Sequence, residues 1–211
     1  MFRNYRTSLT DYTFMTKFNN LWNANYSTWF GRERDRWLFP NTINEIAENE
    51  QNRPSWNKVY EGYPKDGNGD DLGTEDVFKS ILGDDYNREI FTNACATRVS
   101  IGLLSAGVVV KKDFPITVGR FKGKGFIASA IGLKKWLTTV WGSADIIVTG
   151  PTDITDVQNK IGVKNGVYII LGGFSGGISG HATLWLGSDL NTVGNHNYVS
   201  YGGTVYFWEL L

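Results

Sequence analysis

The spacing of apolar residues changes along this chain, and that change limits the fold more than any other feature. Cys95, Val99, Gly102, Leu103 and Ala106 recur at helical spacing, and Gly107 follows where a left-handed helix cap is expected. Phe126, Ile127, Ala130, Leu133, Leu137, Val140 and Trp141 form a second helical stripe, after a short extended stretch at Val108–Val110. From residue 144 the pattern is different. "ADIIVTG", "GVYIILGG", "HATLWLG" and "TVYFWELL" are short apolar or alternating runs separated by Gly, Asn and Asp, as in an antiparallel sheet. Thr152 to Gly162 reads as a short helix between the first two. Helices first and a sheet later is the order of the α+β class.

The chain also divides near residue 50. The first 50 residues hold 11 of the 30 aromatics, and Phe14, Phe18, Leu21 and Trp22 fall on one helical face. Such a segment exposes a contiguous apolar patch unless it is covered, so residues 1–50 are expected to be ordered and to pack as an accessory layer, with Trp29 and Trp37 at least partly buried. "ENEQNRPSW", ending at Trp56, reads as a linker into a main domain spanning 51–211.

Charge excludes one class of partner. With 21 basic and 21 acidic residues, the chain has no excess cation to neutralise a phosphate backbone, so nucleic acid is not an expected partner. No run of about 18 apolar residues is present for membrane insertion. The amino terminus also lacks the apolar core of about 7 to 15 residues that a secretory signal needs. If the protein leaves its cell, another machine carries it.

Cys95 is the only cysteine, so the fold forms without an internal disulfide. A free cysteine is commonly a small buried hydrophobe. Here it stands in the first turn of a helix, with Thr92 or Asn93 available as N-cap, where unpaired N–H groups and the helix dipole lower a thiol's pKa. A nucleophile of this kind needs a base, and only two histidines exist. His181 begins a strand after a glycine-rich approach; His196 lies in "NTVGNHNYVS" and reads as a loop or strand-entry residue. Asp189, Asn191 and Asn195 follow His181 within reach of a strand turn and can fix its tautomer.

Three other patterns carry little. "DGNGDDLGTEDV" starts like a calcium loop, but its sixth residue is Asp71 instead of Gly and its twelfth is Val77 instead of Glu, so a solvated acidic turn is expected. "GRFKGKGF" lacks the strand-to-helix context of a dinucleotide site and reads as a hairpin tip. One Cys and two His are too sparse for a structural zinc site.

"FTNACATRVSIGLLSAGV", "GR…GKGFIASAIGLKKWL…WG", "SGHATLW", "HNY" and "VYFWEL" together resemble the fourth family of type VI secretion amidase effectors, from about Trp56 to the end. The resemblance implies a papain-like fold in which the nucleophile helix packs on an antiparallel β-sheet. It implies a cysteine amidase that cuts peptidoglycan stem peptides between D-glutamate and meso-diaminopimelate and needs no cofactor. It also implies a protein made in the cytoplasm without a signal peptide and carried by the type VI apparatus into the periplasm of target cells, with a cognate immunity protein in the producer. The nucleophile falls on Cys95 and the base on His181, with Asn93 beside the oxyanion. For the third member, relatives place an acidic or amide residue after the Leu-Trp pair, where this chain has Leu186. That leaves Asp189, whose charge stabilises an imidazolium better, or Asn195, nearer "HNY". A papain-like protease or transferase acting on protein is the enzymatic alternative. A wall- or sugar-binding module, drawn from the 8 Trp and 10 Tyr, would not require the thiol.

Overall fold

The computed structural model describes residues 52–174 and 180–211. The expectations for residues 1–50, including the Phe14–Trp22 helix and the burial of Trp29 and Trp37, lie outside them, as does the middle of the glycine-rich approach to His181.

Three helices come first: α1 (Trp56–Gly62), α2 (Thr74–Leu82) and α3 (Cys95–Ser105). A two-residue hairpin pair, β1 (Phe114–Pro115) and β2 (Gly125–Phe126), precedes α4 (Ala130–Trp141). Then follow β3 (Ile146–Thr149), α5 (Ile154–Ile161), β4 (Gly166–Leu171), β5 (Gly180–Leu186), β6 (Asn191–Thr192) and β7 (Thr204–Glu209). The second sheet runs β3-β7-β4-β5-β6, with every neighbouring pair antiparallel. This is the α+β arrangement expected, with each of the four apolar runs forming a strand.

Strand alternation sorts the sheet's residues into two cores. Val167 and Ile169 of β4, Ala182 and Leu184 of β5, and Trp208 of β7 face the cluster that includes Val99 and Leu103 of α3 and Leu133 and Leu137 of α4. The intervening Tyr168, Ile170, Trp185, Val205 and Phe207 face Val157 and Ile161 of α5. Each fully buried side chain of this size stabilises the fold by roughly 1.5–3 kcal/mol, so the sheet is held from both sides.

Several boundaries differ from those the sequence predicts. The helix expected from Phe126 starts at Ala130, because Phe126 pairs with Phe114 across β1 and β2, and Ser129 Oγ caps the helix by accepting from the Gly132 N–H at 3.1 Å. Val108–Val110 joins neither sheet, although Val108 and Val110 are buried. The expected linker into the domain is tied down: the Trp56 N–H donates to the Leu211 carbonyl at 2.7 Å, and Arg53 pairs with Asp145. The "GRFKGKGF" segment is a hairpin tip, closed by Ile116 and Gly123 with Gly119 and Gly123 at positive φ.

Two close approaches place the Cys95 helix. Gly102 lets α3 lie against α1, since a Cβ there meets the Val59 carbonyl oxygen at 2.9 Å. The first turn of α3 then rests on β5 near Ala182. On the other side of β5, β6 pairs only with Trp185 and Leu186, so among the described residues the His181 end has no strand neighbour there. The segment after β6 folds back toward it in two short 3-10 turns, Val193–Asn195 and Val199–Tyr201.

Candidate active site

Cys95 is the first residue of α3 and is 4% exposed. The N-cap is Ala94, with no side-chain cap, in place of the expected Thr92 or Asn93, and Asn93 Oδ1 accepts the Cys95 N–H at 2.9 Å. The first turn carries no acidic residue to oppose a thiolate. The sulfur is met by the N–H groups of Ala182 and Ala96. Ala182 directly follows His181, so the tertiary fold sets the thiol against the His181 peptide although the two residues are far apart in sequence.

Burial overturns the expected direction of the thiol pKa. Desolvation pushes Cys95 up, and the hydrogen bonds from Ala182 and Ala96, with the nearby Arg98 charge, offset this only in part. His181 is shifted to match: it is 6% exposed, and burial brings its pKa down to about 4, against the attraction of the Asp71 charge. His196 and Arg98 push it the same way as burial. At neutral pH the pair therefore rests as thiol and neutral imidazole.

His181 is framed by aromatic rings. Tyr198 meets it edge-on at 4.6 Å between centroids, and His196 at 6.3 Å in a T-shaped arrangement. Tyr198 is held at φ 54 and Asn195 at φ 59, so the segment that frames His181 contains two non-glycine residues in the left-handed region. His181 Nε2 is buried without a hydrogen-bond partner among the described residues.

The structure does not bring Asp189 to this imidazole. Asp189 lies in the exposed turn beyond Leu186, at the far end of β5, where its carboxylate accepts from the Ser188 hydroxyl at 2.8 Å. Five strand steps of about 3.3 Å each separate His181 from Leu186. Asn195 is on the returning segment but is itself exposed, and its carbonyl accepts from Asn197.

The carboxylate beside the site is Asp71, whose side chain is 5% exposed. Oδ1 accepts from the Tyr63 hydroxyl at 2.8 Å, and Oδ2 receives His196 Nδ1 at 3.0 Å and the Arg98 guanidinium at 3.5 Å. Arg98 is fixed in turn by donating Nε–H to the Leu72 carbonyl at 2.8 Å. Sequence reading passed over Asp71 because it stands at the sixth place of the apparent calcium loop. In the structure that loop is a tight turn in which Asp66 accepts from the N–H groups of Asn68 and Asp70 and residues 65 and 71 form a β-bridge. The signal available beforehand was the misfit itself, an acidic residue where a calcium loop requires glycine.

Residues 91–208 match the model of the family described as type VI secretion system amidase effector protein 4, Tae4. No curated protein matches the chain. Among solved structures, the Tae4 effector from Salmonella typhimurium, determined with its immunity protein Tai4, is 26% identical, with 76% of this chain and 100% of that chain covered and a TM-score of 0.59. The Tae4 of a Tae4–Tai4 complex from Enterobacter cloacae is also 26% identical, with the same coverage and a TM-score of 0.56. The Enterobacter cloacae effector on its own is 25% identical over 77% of this chain and 99% of that one, also with a TM-score of 0.56. The family match takes in the Cys95 helix, the sheet strands and the segment that frames His181, and the chain belongs to the Tae4 family of type VI secretion amidase effectors.

Proposed function

We propose that this amidase effector is a cysteine hydrolase that cuts the stem peptides of bacterial peptidoglycan between D-glutamate and meso-diaminopimelate, with Cys95 as nucleophile and His181 as base. The observation that carries this reading is the seat of the Cys95 sulfur at the start of α3, against the N–H of the residue that follows His181. As the substrate carbonyl arrives, His181 takes the thiol proton while the Cys95 sulfur–carbon bond forms, giving a tetrahedral oxyanion. His181 then returns that proton to the departing amine as the carbon–nitrogen bond breaks. Water, deprotonated by the same imidazole, attacks the thioester and releases a carboxylate and the thiol. Asn93 already accepts the Cys95 N–H through Oδ1, so its own side-chain N–H groups are the donors it can offer the oxyanion.

Delivery follows from the same reading. The type VI apparatus carries the protein into the periplasm of a target cell, where stem peptides are exposed. The producer holds an immunity protein, as the relatives solved with Tai4 do.

Mass spectrometry of purified muropeptides incubated with the protein tests this. The expected products carry a new carboxyl terminus on glutamate and a free amine on diaminopimelate. Cys95→Ala and His181→Ala each abolish them, and the double variant is hardly worse than either single one because the two residues act as a unit. Full cleavage by Cys95→Ala sinks the reading.

A further inference from the structure

We propose that Asp71 is the positioning carboxylate of this site, orienting His181 and stabilising its imidazolium from the turn that precedes α2. The inference rests on His181 being the base and adds the residue that neither Asp189 nor Asn195 supplies from its place in the fold.

Three observations converge on it. First, His181 Nε2 is buried and has no hydrogen-bond partner among the described residues. A buried ring nitrogen left alone is costly, and the cost is recovered once a proton on the ring faces an anion. Second, Asp71 is the buried carboxylate at hand, and its charge acts on His181 in the direction that favours the protonated ring. Third, Asp71 is anchored to the same strand face. Tyr63 gives its hydroxyl proton to Asp71 and in turn accepts from Thr183 at 3.2 Å, and Thr183 shares with His181 the odd-numbered face of β5.

The remaining partners fix the position of this buried carboxylate without an ion pair to His181. Arg98 neutralises Asp71 at rest, and His196 holds it by Nδ1–H. When the thiol proton moves to His181, the new cation appears within the field of a carboxylate whose geometry is already set. A purely structural account makes Asp71 only the counterion of Arg98. That account leaves the chemistry of His181 unchanged when the charge is removed, and the two are separable by experiment.

The test uses the full chain. Asp71→Asn keeps the shape and removes the charge; the expected result is a kcat on peptidoglycan fragments lower by roughly a hundredfold with KM little changed. In Cys95→Ala protein, NMR titration of the His181 ring reads its environment without any substrate. The charged and titratable groups acting on that ring are Asp71, Arg98 and His196, and Tyr198 packs against it. Adding Asp71→Asn is expected to move the His181 midpoint to lower pH, and Asp71→Glu to restore part of the rate. A lower rate with an unmoved midpoint makes Asp71 structural and overturns the proposal, as does an unchanged rate. If Asp71→Asn does not fold, Tyr63→Phe takes its place: a several-fold loss of kcat is expected, and an unchanged kcat overturns the assignment. Should Cys95→Ala or His181→Ala remain active, the cysteine mechanism itself falls. Should both be inactive while Asp71→Asn keeps full rate, only the role of Asp71 falls.

Discussion

At Cys95 and His181, burial sets the protonation states more strongly than the helix dipole does. Desolvation raises the thiol and lowers the imidazole to about 4, so both are neutral across the physiological range. An imidazole that must accept a proton is active when unprotonated and is lost as pH falls through its pKa. The expected profile of kcat/KM therefore has its acid limb near pH 4, well below the ordinary histidine range, and stays flat upward past neutrality. The groups acting on His181 are Asp71, which raises it, and His196 and Arg98, which lower it, while Tyr198 packs on the ring. A pH–rate series on a soluble muropeptide checks this. An acid limb near 6.5 shows that His181 is solvated in the free enzyme, unlike its setting here.

Among the elements, α3 bears the most constraint, because it must meet α1 on one side and β5 on the other. The contact with α1 is possible because residue 102 has no side chain: a Cβ lies 2.9 Å from the Val59 carbonyl oxygen and 3.3 Å from Val59 Cγ1. Gly102→Ala gains roughly 1 kcal/mol of helix propensity. It also forces overpacking that costs about 1–3 kcal/mol, and a backbone carbonyl yields little. The expected net effect is destabilisation of up to about 2 kcal/mol, read as a lower midpoint in urea with an unchanged slope. A higher midpoint shows that α1 can move away. Gly180 has the same character on β5, where a Cβ comes within 2.3 Å of the Ile170 carbonyl oxygen, so the strand start beside His181 is equally intolerant.

Across the described residues as a whole, β7 joins the two cores. It is the last strand, yet it lies between β3 and β4, with Phe207 in one cluster and Trp208 in the other. The Trp208 indole also donates to the Gly142 carbonyl at 3.1 Å, fastening the end of α4 to the sheet. Trp208→Ala is expected to cost about 3–5 kcal/mol through the cavity, a large share of the stability of an ordinary domain. Chemical denaturation followed by circular dichroism measures it. A loss below about 1 kcal/mol places the stabilising core elsewhere.

Periodicity was enough to find the four long strands of the second sheet and the Cys95 helix, since spacing of 2 or 3.6 residues is a local property that burial on one face enforces. It also placed Gly107 at a positive φ, where the helix ends. It was not enough at Phe126, where pairing with Phe114 overrode the helical pattern, and it missed α1 and α2. The surroundings of His181 depended wholly on tertiary structure. Asp71 and His196 meet across 125 positions, Tyr63 and Thr183 across 120. No local spacing encodes such contacts. Whether a carboxylate is solvated or buried against a histidine depends on which loops the packed helices bring to the sheet. The sequence alone offered the thiol and the imidazole as candidates; only the folded chain buries both and sets the Asp71 charge near His181.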